Sequence, residues 1–249
     1  MGRHGTIAGR KEKQDSKRSQ VFTRHARAIM VAAKKGGDPE YNFSLKHAID
    51  KAKAINMPND NIERAIKKDT GEIDGDHFEE GRFEGYAPGG VAVIVDVLTD
   101  NKNRTTSAIK HAFDKNGGNL GAPGCVSYMF ERKGVITVEA TENMGEEDIM
   151  DVAVEAGAEN IESEGNEISV IMNSEDFAAV KEAIQKSGAN IIEADIEYLP
   201  NIYATPTDDD KKALEKLIDM LEENDDIQKI YYPSILFLII LNFAQKMNK

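Results

Sequence analysis

Apolar positions recur every three or four residues over the first third of the chain and then change period, and that change organises the prediction. Phe22, Ala26, Ile29 and Ala33 follow helical spacing, which predicts a first helix from about Ser16 that ends at Gly36-Gly37. Asp38-Pro39-Glu40 reads as the N-cap, first-turn proline and first-turn acid of a second helix. That helix would carry Leu45, Ala48, Ile49, Ala52 and Ile55 on one face and be closed by Pro58. A third begins at Asn59 or Asp60, where Asp60 and Glu63 make a capping box and Ile62, Ala65 and Ile66 point inward. Three such helices make a small bundle. Ahead of them, residues 1–20 are rich in Gly, Lys and Arg without an apolar period and read as a mobile basic arm.

The acidic, glycine-punctuated stretch Thr70 to Gly81 reads as a linker. Beyond the turn Tyr86 to Gly90, Val91 to Leu98 is β-branched and apolar on both faces, as expected of a central strand. Asn103 would cap a helix from Arg104 to Asn116, with Ile109, Ala112 and Phe113 inward, and a strand Val126 to Phe130 would follow. After a turn at Lys133-Gly134 comes a β-α-β-β-α-β pattern. Its strands are Val135 to Glu139, Ala158 to Ser163, Glu167 to Met172 and Asn190 to Tyr198; its helices are Glu146 to Ala156 and Ser174 to Ser187, the second capped by Ser174 and Gly188. This is the ferredoxin-like order. A strand Ile202 to Thr205, a helix from Thr207 and a strand Ile227 to Tyr231 then close the pattern left open at Phe130. The expected fold class is α+β: an N-terminal three-helix domain followed by two ferredoxin-like α+β domains, one inserted into the other. The expected boundaries are 1–75 for the basic arm and helices, 82–133 plus 200–232 for the split domain, 134–199 for the inserted one, and 233–249 for an atypical apolar tail.

Charge adds a polarity that the periodicity does not show. The chain has a net charge of −13, yet residues 1–70 hold 16 Lys or Arg against 8 Asp or Glu, leaving 15 against 36 in the remainder. A basic head on an acidic body points to nucleic acid or another polyanion as the partner of the head. A single cysteine, Cys125, excludes an internal disulfide, and the five histidines are scattered with no pair at i, i+4, so no metal or cofactor is expected. Arg3 and His4 stand where a signal peptide needs an apolar run, which leads to a cytoplasmic expectation. The apolar run Ile235 to Leu241 falls far short of the roughly 20 residues that span a bilayer, so no membrane partner is expected. Exposed, such a run would make the chain prone to association.

The candidate binding residues of the head are Arg10, Lys11, Lys13, Lys17, Arg18, Arg24, Arg27, Lys34, Lys35, Lys46, Lys51, Lys53, Arg64, Lys67 and Lys68, most of them off the apolar stripes. The competing reading, a solvated helix face, is outweighed by the bias of sign. Cations so placed grip phosphate and carry no base-sequence information. At the strand-to-helix junction Leu98 to Thr106, Asn101, Asn103 and Arg104 fit either an anion or RNA-backbone site at a helix N-terminus or simple capping, and the two readings stand side by side. Gly117 to Gly124 lacks the Lys-Ser/Thr ending of a phosphate loop and follows a helix, so it reads as a turn. No nucleophile, base and orienting acid can be paired by spacing, and the acidic runs Glu142 to Asp148 and Glu222 to Asp226 read as solvated faces; no enzyme is expected. A protein-interaction scaffold with an acidic surface is the remaining class.

Several motifs occur together: Gly2-Arg3-His4 to Lys11, Phe22-Thr23, Val31-Ala32-Ala33, Asn56-Met57-Pro58-Asn59-Asp60-Asn61-Ile62 to Lys68, Glu84-Gly85-Tyr86-Ala87-Pro88-Gly89-Gly90-Val91 and Thr99-Asp100-Asn101-Lys102-Asn103-Arg104-Thr105. With them the chain resembles the YebC/PmpR family, whose mitochondrial members are translational activators of cytochrome oxidase. The resemblance runs from Met1 to about Tyr231. It implies a cytoplasmic, non-enzymatic protein with a helical head and two α+β domains, a DNA-binding transcriptional regulator. For some members it implies instead a translation factor that binds the ribosome and relieves stalled synthesis; the runner-up reading of this chain is such a factor, with the head on ribosomal RNA and the Asn101 to Arg104 junction near the peptidyl-transfer region. The chain departs from the family after Tyr231-Tyr232, where Pro233 and the run Ser234 to Phe243 replace a polar ending.

Overall fold

The computed structural model describes residues 4–69, 78–141 and 144–233. The expected linker therefore lies largely outside the described residues, and the apolar run Ile235 to Leu241 lies wholly outside them. In chain order the elements are α1 (His4–Ala33), α2 (Phe43–Ala54), α3 (Asn59–Asp69), β1 (Glu79–Ala87), β2 (Val91–Thr99), α4 (Lys102–Lys115), β3 (Asn119–Leu120), β4 (Phe130–Glu139), α5 (Glu146–Glu155), β5 (Asn160–Glu164), β6 (Glu167–Asn173), α6 (Phe177–Ser187), β7 (Asn190–Pro200), α7 (Asp208–Glu222) and β8 (Ile227–Tyr231). The chain is α+β, with a helical N-terminal region and two antiparallel sheets. It divides into two compact units, Met1–Cys125 with Pro206–Ile230 and Val126–Thr205 with Tyr231–Lys249. Among the described residues no helix is long and apolar enough to cross a membrane.

In the first unit, α1, α2 and α3 bury the stripes that periodicity picks out. Ile29, Ala33, Leu45, Ile49, Ala52, Ile62 and Ala65 are core, with Phe22, Ala26, Ala48, Ile55 and Ile66 packed against them. Three local expectations change. The first helix runs from His4, so the basic segment after Arg3 continues α1 where a mobile arm was expected. Its Lys, Arg, Glu and Gln residues are good helix formers, and no proline interrupts them. The second helix is capped by Asn42 and not by Asp38: the Asn42 side chain accepts from the Leu45 N–H at 3.1 Å, while 38–41 close a separate turn. The third helix closes its first turn on the Pro58 carbonyl, which accepts from Asn61 and Ile62, so Asp60 sits within the turn. There its charge still favours the positive helix end.

The sheet of this unit has the order β3-β1-β2-β8. β2 is buried along nearly all its length, consistent with its unbroken apolar run. By pattern Glu79 to Gly81 belong to the linker, Tyr86-Ala87 to the turn, and Arg82 to Gly85 to no element, because the charged residues and glycines hide the alternation of β1. It is a strand because it pairs with β2 in continuous antiparallel register from Glu79↔Thr99 to Ala87↔Val91. The pairing also places Arg82 opposite Asp96, with an ion pair at 2.7 Å. α4 and α7 pack on each other and on β1, burying Ile109, Ala112, Phe113, Leu214, Leu217 and Leu221. Thr207 caps α7 in a box with Asp210: the Asp210 N–H donates to Thr207 Oγ1 at 3.2 Å, and the Thr207 N–H donates to the Asp210 carboxylate at 2.9 Å.

The second unit has strand order β5-β6-β4-β7, the ferredoxin-like arrangement expected for this stretch. Its core comprises Ile136, Val138, Ile149, Ala153, Ile168, Val170, Met172, Phe177, Val180 and Ile184. Four boundaries differ from expectation. Val126 to Phe130 is not a strand: Ser127–Met129 is a 3-10 turn leading into β4. Lys133-Gly134 is no turn and lies within β4, opposite Asn173 and Met172. α6 starts at Phe177, with Asp176 and not Ser174 at its N-cap. Residues 202–205 form no strand.

Gly134 is required by packing, since a Cβ there would stand 2.8 Å from Phe177 Cδ2 and 2.9 Å from Met172 Cγ. Gly134→Ala is therefore expected to cost about 1–3 kcal/mol through overpacking, seen as a lower Tm for the unit. An unchanged Tm would mean that Phe177 and Met172 yield freely.

Candidate nucleic-acid interface

Between α1 and α3, at the edge of the bundle core, lies an open groove of about 440 Å³. Its floor is apolar, made by Phe22, Ala26 and Met30 of α1, by Met57, and by Ala65 of α3. Its rim is cationic. Arg18 comes from α1 and Arg64 and Lys68 from α3, and none of the lining residues is acidic. Arg18 lies 5.3 Å over the Phe22 ring, which orders the guanidinium without neutralising it. The groove follows directly from helical spacing. Positions 18, 22, 26 and 30 form one row of α1, positions 61, 64/65 and 68 face it from α3, and charge marks the solvent edge of each row.

The remaining nominated cations fall into three groups. Arg10, Lys11, Lys13 and Lys17 lie along the first half of α1, and their side chains are outside the described residues. Lys35, Lys46, Lys53 and Lys67 are exposed, Lys51 is half-buried, and exposed Lys34 donates to the Phe78 carbonyl at 2.6 Å. The half-buried His25 is held below its ordinary pKa, first by burial and then by the nearby charges of Lys51 and Arg24.

Arg24 and Arg27 form the third group and face the C-terminal end of α7. Arg24 donates to the Glu222 carbonyl, Arg27 to the Asp225 carbonyl, and Gln20 to the Glu223 carbonyl at 3.4 Å. Cationic donors on the last carbonyls of a helix complement its dipole. Arg27 also pairs with Asp226 at 2.8 Å and lies 5.0 Å over the Phe78 ring. The acidic run Glu222 to Asp226, read from sequence as a solvated face, is thus where α1 is fastened.

Asp226 is the centre of a buried network that sequence reasoning missed. Only 3% exposed, it accepts from Arg27, from Arg104 at 2.9 Å, from Thr105 at 2.6 Å and from Thr99 at 3.2 Å. Its partners are about 120 to 200 positions away in sequence, so no local pattern announces it. Burial alone would raise its pKa, but the hydrogen bonds from Thr105 and Arg104 and the charges of Arg27 and Arg104 outweigh it and hold the carboxyl below its ordinary value of 3.8. A folded pKa below the unfolded one means that the unfolded state binds the extra proton. The carboxylate's contribution is then complete above pH 3.8 and is lost as pH falls through the folded value. The acid limb of a stability-against-pH curve should accordingly be shallower in Asp226→Asn than in the parent; identical limbs would refute this assignment.

At the β2–α4 junction the cap is Asn101 and not Asn103: Asn101 Oδ1 accepts from the Arg104 N–H at 3.1 Å. Arg104 pairs with Asp100 at 2.7 Å and with Asp226, while Asn103 is exposed within the first turn. The junction is a capped, charge-paired helix start. Gly117 to Gly124 contains positive-φ glycines at 117 and 124, and buried Glu84 accepts from the Gly124 N–H at 2.9 Å. A carboxylate thus holds the loop from within, in keeping with a turn.

Comparison with known proteins agrees with this architecture. Residues 3–72 match the family model described as the TACO1/YebC protein N-terminal domain, and residues 78–233 match that of the TACO1/YebC second and third domain. A probable transcriptional regulatory protein of Clostridioides difficile (strain 630) is 53% identical over 93% of this chain and 98% of its own length. One from Caldanaerobacter subterraneus subsp. tengcongensis is 50% identical over 91% of this chain and 93% of its own. The crystal structure of a conserved hypothetical protein from Aquifex aeolicus superposes with a TM-score of 0.80 at 44% identity, over 89% of this chain and 94% of that one. With family models matching residues 3–72 and 78–233 and relatives at about half identity over nearly their full lengths, the chain belongs to the TACO1/YebC family.

Proposed function

We propose that the chain is a nucleic-acid-binding regulator of gene expression, acting in the cytoplasm as a DNA-binding transcriptional regulator whose helical head grips phosphates. The observation that carries this reading is the α1–α3 groove, edged by Arg18 of α1 and by Arg64 and Lys68 of α3, with no carboxylate among the lining residues. Exposed Lys35, Lys53 and Lys67 on the same three-helix bundle would extend the cationic surface, and the Lys and Arg content of residues 1–17 adds to the positive charge of the head. The names of the relatives, probable transcriptional regulatory proteins, support the regulatory part of the reading.

Phosphate contacts do not by themselves separate DNA from RNA. A translation factor on ribosomal RNA is therefore the second reading, and one experiment decides between them. At near-physiological salt, retention on promoter duplex without co-sedimentation with ribosomes supports the transcriptional role. Co-sedimentation without duplex retention supports the translational one. Failure of both leaves a protein-interaction scaffold.

A further inference from the structure

Among the described residues the two most exposed large apolar side chains are Tyr41 at 89% and Phe43 at 77%, on either side of a buried residue in the α1–α2 connection. We propose that Tyr41 and Phe43 form a stacking platform for unpaired bases of a nucleic-acid strand. The proposal rests on the nucleic-acid reading of the head and adds unpaired segments to the phosphate backbone as what the head contacts.

The platform is fixed from beneath. Asn42, only 7% exposed, donates from Nδ2 to the carbonyls of Ala32 and Gly36, both at 2.8 Å, and accepts from the Leu45 N–H. One side chain thereby ties the end of α1 to the start of α2. Asn42 is extended, at φ −123° and ψ 93°, and neighbouring side chains of extended backbone point to opposite sides. With Asn42 inward, Tyr41 and Phe43 are directed outward and held there by a backbone that cannot turn them in without losing three hydrogen bonds. Neither ring serves the bundle core.

Charge and chemistry select the occupant. Exposed Lys34, Lys35 and Lys46 border the connection in sequence, and the surrounding segment 1–70 carries twice as many cations as anions. Asp38 and Glu40 are also exposed on the connection, and the Asp38 carboxylate accepts from the Glu40 N–H at 2.9 Å. Two carboxylates there disfavour a dense run of phosphates against the rings. A strand whose bases turn toward the rings and whose phosphates lie toward the lysines satisfies both charges. Paired bases in a duplex cannot present their faces in this way, whereas exposed aromatics stack on any unpaired base.

The test uses the full chain with a short labelled single strand and a duplex of the same length, at one fixed salt concentration. Tyr41→Ala and Phe43→Ala are expected to weaken single-strand binding by about tenfold each and by about a hundredfold together. Duplex affinity should change by less than about twofold, since no phosphate contact is removed. The chain has no tryptophan, so Phe43→Trp supplies a single indole reporter. Its emission should be quenched saturably by the single strand and not by the duplex.

Parental affinity for both ligands that survives in the double variant would overturn the platform while leaving the nucleic-acid reading intact. Equal loss on single strand and duplex would also overturn it, assigning the rings to general docking. Loss of ribosome co-sedimentation with unchanged single-strand affinity would place the rings on a protein surface and overturn it too. A parent chain that binds neither ligand would remove the nucleic-acid reading itself, and the platform with it.

Discussion

Asp226→Ala is expected to destabilise the fold by about 3 kcal/mol, the low end of the range for removing one partner of a buried ion pair. The carboxylate is 3% exposed and serves two guanidinium groups and two threonine hydroxyls. Its removal leaves Arg27, whose side chain is 13% exposed, with a charge that water reaches poorly. It also leaves Thr99 and Thr105 with hydroxyls that have only each other and nearby backbone as partners. Two features keep the cost from the top of the range. Arg27 retains the Asp225 carbonyl and the Phe78 ring, and Arg104, at 52% side-chain exposure, is already screened by solvent. Urea unfolding followed by a probe in the first unit checks this. A loss below about 1 kcal/mol would mean that Asp226 is no more than the solvated acid its sequence context suggests.

Neutralising Arg18, Arg64 and Lys68 together to glutamine is expected to weaken nucleic-acid binding by about a thousandfold at about 0.1 M salt. Each phosphate contact releases roughly one counterion, so it adds about one decade of affinity for each tenfold dilution of salt below about 1 M. Three lost contacts should remove about three decades and flatten the slope of log affinity against log salt by about three. Stability should hardly move, because Arg18 and Arg64 are exposed and Lys68 is half-exposed. Substitutions of that kind usually cost about 0.5 kcal/mol or less. Arg24→Gln with Arg27→Gln should behave in the opposite way, lowering stability through the α7 end and Asp226 while taking little from the salt slope. Were the Arg24 and Arg27 pair to flatten the slope and the groove triple to leave it unchanged, the roles assigned to these cations would be reversed.

These paired expectations also show where sequence reading ends. The helices of the head are legible because Leu45, Ile49 and Ala52, or Ile62 and Ala65, repeat at the pitch of the structure they form. The strand order of the inserted sheet is legible because its strands alternate or run apolar, although Lys133-Gly134, a turn by its residue types, continues β4. β1 is not, since its Glu79, Glu80, Arg82 and Glu84 look like linker until β2 places Asp96 opposite Arg82. Val126 to Phe130 fails the other way: Ser127–Met129 is a 3-10 turn that buries Met129 and leaves Tyr128 exposed, and only Phe130 joins β4. For the interface, counting charge locates the basic head but cannot sort its members. Arg18 and Arg24 are six residues apart on one helix. Only the fold, by bringing residues 222–226 against α1, commits the second and leaves the first on the groove.

The central claim, that the helical head carries nucleic-acid binding, is tested most directly by ultraviolet crosslinking of the intact chain to bound nucleic acid, with crosslinked peptides identified by mass spectrometry. The account predicts crosslinks from α1, α2 and α3, concentrated near Arg18, Phe22 and Arg64, and few from Val126–Thr205. Crosslinks confined to Val126–Thr205, with none in the three helices, would contradict it.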